Sequence, residues 1–310
     1  EGRILSPDEP KVKEEKTLSL QSPLSVGLFA GKWCSYSATP DLPHDQREED
    51  GGALVFQSEP LEDDLEILGF PEVELVFAVD QQVAQVAVRL SDVAPNDEAT
   101  RVTYGILNLT HRESHEQPEH LAPGRKYRVT MFLNGIAQHF PKGHRLRVSL
   151  STSYWPLAWP APEPVHLTVY QRETRLALPV RPPAETDAQL RPFGEPEGAE
   201  PVAQDILSGG VQDWVVKRKL ADDIATLEVI KEEPDVRLEA LDLELEDKVY
   251  EWYTCQKNDY STVRGEVHAV RGFRRGSWHV RTVTRTVLKS DRQHFILHAE
   301  LDAYAGGLKV

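Results

Sequence analysis

Polar and apolar side chains alternate residue by residue along Arg145-Leu146-Arg147-Val148-Ser149-Leu150-Ser151, the pattern of a strand with one buried face. Three further segments carry the same period: Tyr127, Val129, Met131 and Leu133; Val73, Leu75, Phe77 and Val79; and Val86, Val88 and Leu90. Turn-forming clusters separate them, at Pro95-Asn96-Asp97, Pro123-Gly124 and Pro141-Lys142-Gly143. From Thr17 to Val180 the pattern predicts about ten strands and no long helix, hence two β-sheets packed face to face. A second β pattern runs from Trp214 to Tyr304. Trp278-His279-Val280-Arg281-Thr282-Val283-Thr284 is rich in β-branched residues, and His294-Phe295-Ile296-Leu297-His298-Ala299 follows a Ser290-Asp291 turn. Roughly six or seven antiparallel strands in a meander are expected there. The fold class is all-β.

Proline places the boundary between these halves. Ten of the 22 prolines fall between Trp155 and Pro201. The first part, Trp155-Pro156-Leu157-Ala158-Trp159-Pro160, is too aromatic for a free linker. The last part, from Arg181-Pro182-Pro183 to Glu200-Pro201, is polar and proline-rich. The chain is 310 residues long, which at roughly 100–200 residues per domain suggests two domains. The expected division is a β-sandwich over residues 1–183, a linker over 184–204 and an antiparallel β domain over 205–310. The chain begins at Glu1 rather than Met and stops at Gly306-Gly307-Leu308-Lys309-Val310, which reads as the start of another strand. A piece of something longer, truncated at the C-terminus too, is the expectation.

Charge narrows the partners. The net charge is −15, and an excess of 50 acids over 35 bases argues against a nucleic-acid binder. Residues 1–200 hold 19 bases and 31 acids, whereas residues 201–310 hold 16 and 19. Arg271, Arg274 and Arg275, beside Gly272 and Gly276, read as a basic turn in a solvated hairpin that pairs with the acidic strands before it. No run approaches the roughly 18 apolar residues of a membrane span, and no segment resembles a signal peptide. No membrane partner and a cytoplasmic location are expected. Cys34 and Cys255 form no CxxC pair, so neither a disulfide scaffold nor a zinc site is encoded.

No catalytic signature is present. There is no G-x-S-x-G; the nearest frame, Gly27-Leu28-Phe29-Ala30-Gly31, has Phe at the serine position. No P-loop or G-x-G-x-x-G occurs, and no cofactor is implied. His111, Glu113, His115, Glu116 and His120 invite a metal, but His115-Glu116 followed by His120 misses H-E-x-x-H by one residue. Pro118 would also break the helix that motif needs. A solvated loop after a strand is expected, with no metal. Asp41, Asp45, Glu48, Glu49 and Asp50, with Glu62-Asp63-Asp64, could offer oxygens to calcium, but lack EF-hand spacing and read as solvated acidic loops. The aromatic group Tyr154, Trp155 and Trp159 could stack on sugars or a proline-containing peptide if exposed; if buried, it would close one end of the core.

A family resemblance enters through longer motifs. These are Asp45-Gln46-Arg47, the run from Leu54-Val55-Phe56-Gln57 to Glu66-Ile67-Leu68-Gly69, and Val88-Arg89-Leu90-Ser91-Asp92-Val93-Ala94-Pro95. Thr103-Tyr104-Gly105-Ile106-Leu107-Asn108-Leu109 and Phe140-Pro141-Lys142-Gly143-His144-Arg145 follow in order. Together they resemble the C-terminal domain of X-Pro dipeptidyl-peptidase and CocE/NonD hydrolases over about residues 20–180. Residues 201–310 are similar only to an additional β region of longer relatives. The resemblance implies a jelly-roll β-sandwich of galactose-binding-like type. It also implies that a Ser-His-Asp α/β-hydrolase domain lies upstream in the same polypeptide, so no catalytic residue is carried over. The sandwich would then shape the active-site entrance, an oligomer contact, or both, with a homo-oligomer as a further expected partner. Asp45, Gln46, Arg47, Tyr154, Trp155 and Trp159 are the candidate inter-domain or ligand contacts. A carbohydrate- or peptide-binding module on the same sandwich is the alternative.

Overall fold

The computed structural model describes residues 2–6, 9, 15–32, 43 and 45–310. Cys34 and Asp41 lie outside the described residues. The chain divides into two compact units, Glu1–Pro182 and Pro183–Val310.

Strands of the first unit begin with β1 (Gly2–Arg3), β2 (Thr17–Leu20), β3 (Leu54–Gln57) and β4 (Leu65–Gly69). Next come β5 (Glu72–Val79), β6 (Gln85–Val93), β7 (Ala99–Asn108) and β8 (Tyr127–Phe132). The last are β9 (Ile136–Phe140), β10 (Arg145–Ser151), β11 (Leu167–Tyr170) and β12 (Arg175–Ala177). One sheet has the order β1-β3-β10-β6-β7; in the other, β5 pairs with β8, β11 and β12, and β11 pairs with β2. A separate hairpin joins β4 to β9. Pairing is antiparallel except between β1 and β3.

The alternating faces meet in one core. Val86, Val88 and Leu90 of β6 and Leu146, Val148 and Leu150 of β10 cluster with Leu75 and Phe77 of β5, Val129 and Met131 of β8, and Leu167 and Val169 of β11. Burying each such side chain contributes about 1.5–3 kcal/mol. The expectation of one buried face falls short, however. Ser149 and Ser151 of β10 and Arg89 and Ser91 of β6, on the opposite face, are buried too. Something covers the outside of this sheet.

The second unit holds β13 (Gln204–Ile206), β14 (Val211–Lys219), β15 (Ile224–Glu232), β16 (Val236–Leu238) and β17 (Leu243–Gln256). It continues with β18 (Asp259–Arg275), β19 (Trp278–Ser290), β20 (Phe295–Ala305) and β21 (Leu308–Lys309). The strands form one antiparallel sheet in which β14, β15, β17, β18, β19, β20 and β21 follow one another, with the short β13–β16 pair set against β17. Gly272 proves to be mid-strand rather than part of a turn, which is made by Gly276 with φ at +58°. A Cβ on Gly272 would come within 2.9 Å of Glu246 Oε2, so the missing side chain makes room for that carboxylate. The basic residues pair with acids of β17: Arg271 with Asp247 and Arg274 with Glu244.

Candidate functional site

Three non-strand segments cover the outer face of the sheet containing β6 and β10. The first is a run of turns over residues 24–30. The second is a single helical turn, α1 (Arg47–Asp50). The third is the aromatic segment that follows β10. Tyr154 packs with Val26, Ala30 and Ala87, joined by Tyr104, Ile106 and Leu157.

Arg89 is the centre of this cover. It projects from the outer face of β6 and its side chain has no exposed surface. Its Nη1 donates to Gln46 Oε1 at 3.2 Å and its Nη2 to Asp50 Oδ1 at 3.1 Å. Glu49 Oε2 lies 3.7 Å from Nη1. Asp50 also accepts from Arg147 Nη1 at 2.9 Å and from Ser149 Oγ at 2.6 Å, both on β10. A fully buried guanidinium is tolerable only with such acceptors around it.

Glu49 carries the tie to the turn segment. Its carboxylate accepts from the amides of Gly27 at 2.5 Å and Phe29 at 2.8 Å. Burial dominates and raises this carboxyl above its ordinary value, against the downward pull of the Arg89 charge and the two amides. Gly27 has φ at +117°, and a Cβ there would lie 2.3 Å from the Trp155 carbonyl oxygen. Close backbone approach therefore links the turn segment to the aromatic one. One buried side chain on β6 thus reaches all three segments through short steps.

The expected contact residues fall into two groups. Asp45 is partly buried. Burial raises its carboxyl, but the Arg47 guanidinium and the amides of Arg47 and Ala99 outweigh that and hold it below its ordinary value. Gln46 is buried; its amide donates to the Ala99 carbonyl and its side chain accepts from Arg89. Arg47 points outward, bound to Asp45 at 2.8 Å. Tyr154 is buried with its hydroxyl accepting from Arg101 Nη1 at 2.7 Å. Burial raises its phenol, against the pull of Arg101 and Arg89. Trp155 is buried as well and meets the half-buried Trp159 edge-on at 5.0 Å. Tyr154 does not close the end of the inter-sheet core; it packs outside the sheet, because Ala87 leaves room there.

Glu49 and Asp50 are not solvated loop acids, since both are spent on this network, whereas Glu62, Asp63 and Asp64 are exposed. Arg89, Arg101, Arg147 and Gly27 escape a periodicity reading. The signal for Arg89 is a charge placed in an otherwise small and apolar run, Val86-Ala87-Val88-Arg89-Leu90.

The imidazoles of His144, His268 and His298 bond to the carboxylates of Asp92, Glu266 and Glu300, not to a hydroxyl or thiol that they could activate. Burial pushes the Cys255 thiol up to about 11, the opposite of an activated nucleophile. No helix among the described residues is long and apolar enough to cross a membrane.

The first unit is thus an all-β sandwich whose outer cover is held by a buried polar network. The family model of the X-Pro dipeptidyl-peptidase C-terminal non-catalytic domain matches residues 9–195, and the chain belongs to this family. Cocaine esterase from Rhodococcus sp. (strain MB1 Bresler) is 28% identical over 116 residues, a match covering 37% of this chain and 20% of that protein. The chain thus spans about a fifth of the length of the relative it matches. Among solved structures, an alpha-amino acid ester hydrolase aligns over 57% of this chain and 33% of its own, at 22% identity and a TM-score of 0.47. A CocE/NonD family hydrolase from Staphylococcus aureus aligns over 56% and 34%, at 12% identity and a TM-score of 0.41.

Proposed function

We propose that residues 1–182 form the jelly-roll, galactose-binding-like domain of a longer serine hydrolase, and that the outer cover is its contact with an upstream α/β-hydrolase domain. The observation that carries this reading is the Arg89 network. A cover that only shielded a sheet could be apolar; this one uses a buried cation to hold three irregular segments in one arrangement. Arg47 is thereby presented outward from a rigid base, and the half-buried Trp159 packs edge-on against Trp155. Such a surface suits a wall beside an active site, where loop position decides which substrates enter. In the longer protein a serine would attack an ester or X-Pro amide carbonyl, with a histidine as base and backbone amides as oxyanion hole. None of those groups is assigned to this chain. A cytoplasmic location and a homo-oligomeric assembly belong to the same proposal.

The test is chemical. The chain incubated with a fluorophosphonate probe should keep its mass and should leave p-nitrophenyl esters and X-Pro anilides unhydrolysed. Stoichiometric labelling of one serine would remove the reading.

A further inference from the structure

The loop after β7 brings two histidines together. His111 closes a 3-10 turn, Leu109–His111, and His115 follows four residues later. Their Nδ1 atoms are 3.3 Å apart and the rings stand 5.4 Å between centroids at 43°. Two imidazole nitrogens bound at 2.0–2.1 Å to a tetrahedral zinc ion would be separated by about 3.3 Å. The two nitrogens share a ring-to-ring hydrogen bond, and its length matches the separation that two such zinc ligands require.

The loop that holds them is built rather than loose. Asn108 Oδ1 accepts from the Thr110 amide at 3.1 Å and from its hydroxyl at 2.9 Å. Arg112 Nη1 donates to the carbonyls of Leu109 and Glu119, at 3.3 and 2.7 Å, bracing the two ends of the loop. Ser114 Oγ accepts from the amides of Glu116 and Gln117, each at 3.1 Å, and so fixes the turn carrying His115. Little ordering entropy remains to be lost on binding. Arg112 spends its charge on Glu119, while Glu113 and Glu116 are exposed, which leaves a local field suited to a cation.

We propose that His111 and His115 form a two-histidine site for a divalent transition ion of zinc type, ligated through both Nδ1 atoms. Water completes the coordination, because among the described residues no group of three or more His, Cys, Asp or Glu side chains is placed to hold a metal. The sequence pattern conceals this site because H-E-x-x-H logic requires a helix through Pro118, whereas the pair forms in a turn that ends before it. The ion would find both rings in place and would displace only the ring-to-ring hydrogen bond. An ion at this exposed position, with open coordination sites, can accept a further donor from a bound molecule.

Zinc chloride titrated into the untagged chain, followed by calorimetry and by long-range proton–nitrogen NMR of the imidazoles, tests this. One ion should bind, and the Nδ1 resonances of both His111 and His115 should shift. His111→Ala or His115→Ala should each weaken binding on the order of a hundredfold by removing the chelate. His120→Ala should change it less than about twofold, and thermal melting should confirm that every variant folds. Nδ1 resonances that stay in place at saturating zinc would overturn the proposal. So would single variants that bind zinc as the wild type does.

Discussion

Arg89→Ala is expected to lower the melting temperature of residues 1–182 by roughly 6–20 °C, the largest effect of any single substitution on the outer cover. Removing one partner of a buried ion pair costs about 3–5 kcal/mol, because the remaining charge stays buried without compensation. Here two carboxylates would be left: Asp50, still held by Arg147 and Ser149, and Glu49, held by the Gly27 and Phe29 amides. Glu49 is the more exposed to the loss, since Arg89 is the charge that opposes its burial. Adding Glu49→Gln to Arg89→Ala should therefore recover part of the loss, as a neutral amide needs no counter-charge. A single Arg89→Ala variant that melts within about 2 °C of the wild type would show that the network is ornamental.

Gly27→Ala should be nearly as damaging, by a different route. A side chain at φ +117° is strained wherever it sits, at about 1–3 kcal/mol. At this position the new Cβ would also lie 2.3 Å from the Trp155 oxygen and 2.6 Å from its nitrogen, both backbone atoms that cannot rotate away. The turn segment and the aromatic segment must separate, and Glu49 loses the amides it binds. A loss of about 3 kcal/mol or more is expected, together with a changed near-ultraviolet dichroism from Trp155 and Trp159. Gly124→Ala is the control: its φ is +75°, but nothing lies within 4 Å of the added carbon. Equal losses at the two glycines would mean that backbone strain alone matters and that the close approach does not.

How much of this could be read from the chain depends on the period of each part. Leu146, Val148 and Leu150 mark one face of β10 because burial on a strand repeats every second residue, and the core follows from such faces. The cover has no period. It consists of turns and one four-residue helical turn, and its key contact joins Glu49 to Gly27 across 22 positions. Nothing local in Gly27-Leu28-Phe29 announces an acceptor that far away. Arg89 stands within the run Val88-Arg89-Leu90-Ser91, yet a charged side chain on an alternating strand reads as solvent-facing until the segments above it are placed. In the second unit, Gly272 reads as a turn residue because glycine and arginine often meet in turns; it sits instead directly across from Glu246, whose side chain occupies the space a Cβ there would take. The His111–His115 pair is legible as part of a histidine cluster, but its turn geometry is not.

The most direct test of the proposed contact is hydroxyl-radical footprinting of Trp159. This ring sits half-buried on the cover, outside the sheet, whereas Phe193 in the second unit is fully exposed and serves as the reference. Labelling should be compared between this chain alone and the longer polypeptide that carries the hydrolase domain. The account predicts that Trp159 is oxidised several-fold more slowly in the longer protein, relative to Phe193, because the catalytic domain lies over it. Equal oxidation of Trp159 in both would contradict it and leave the Arg89 network as a device for stability alone.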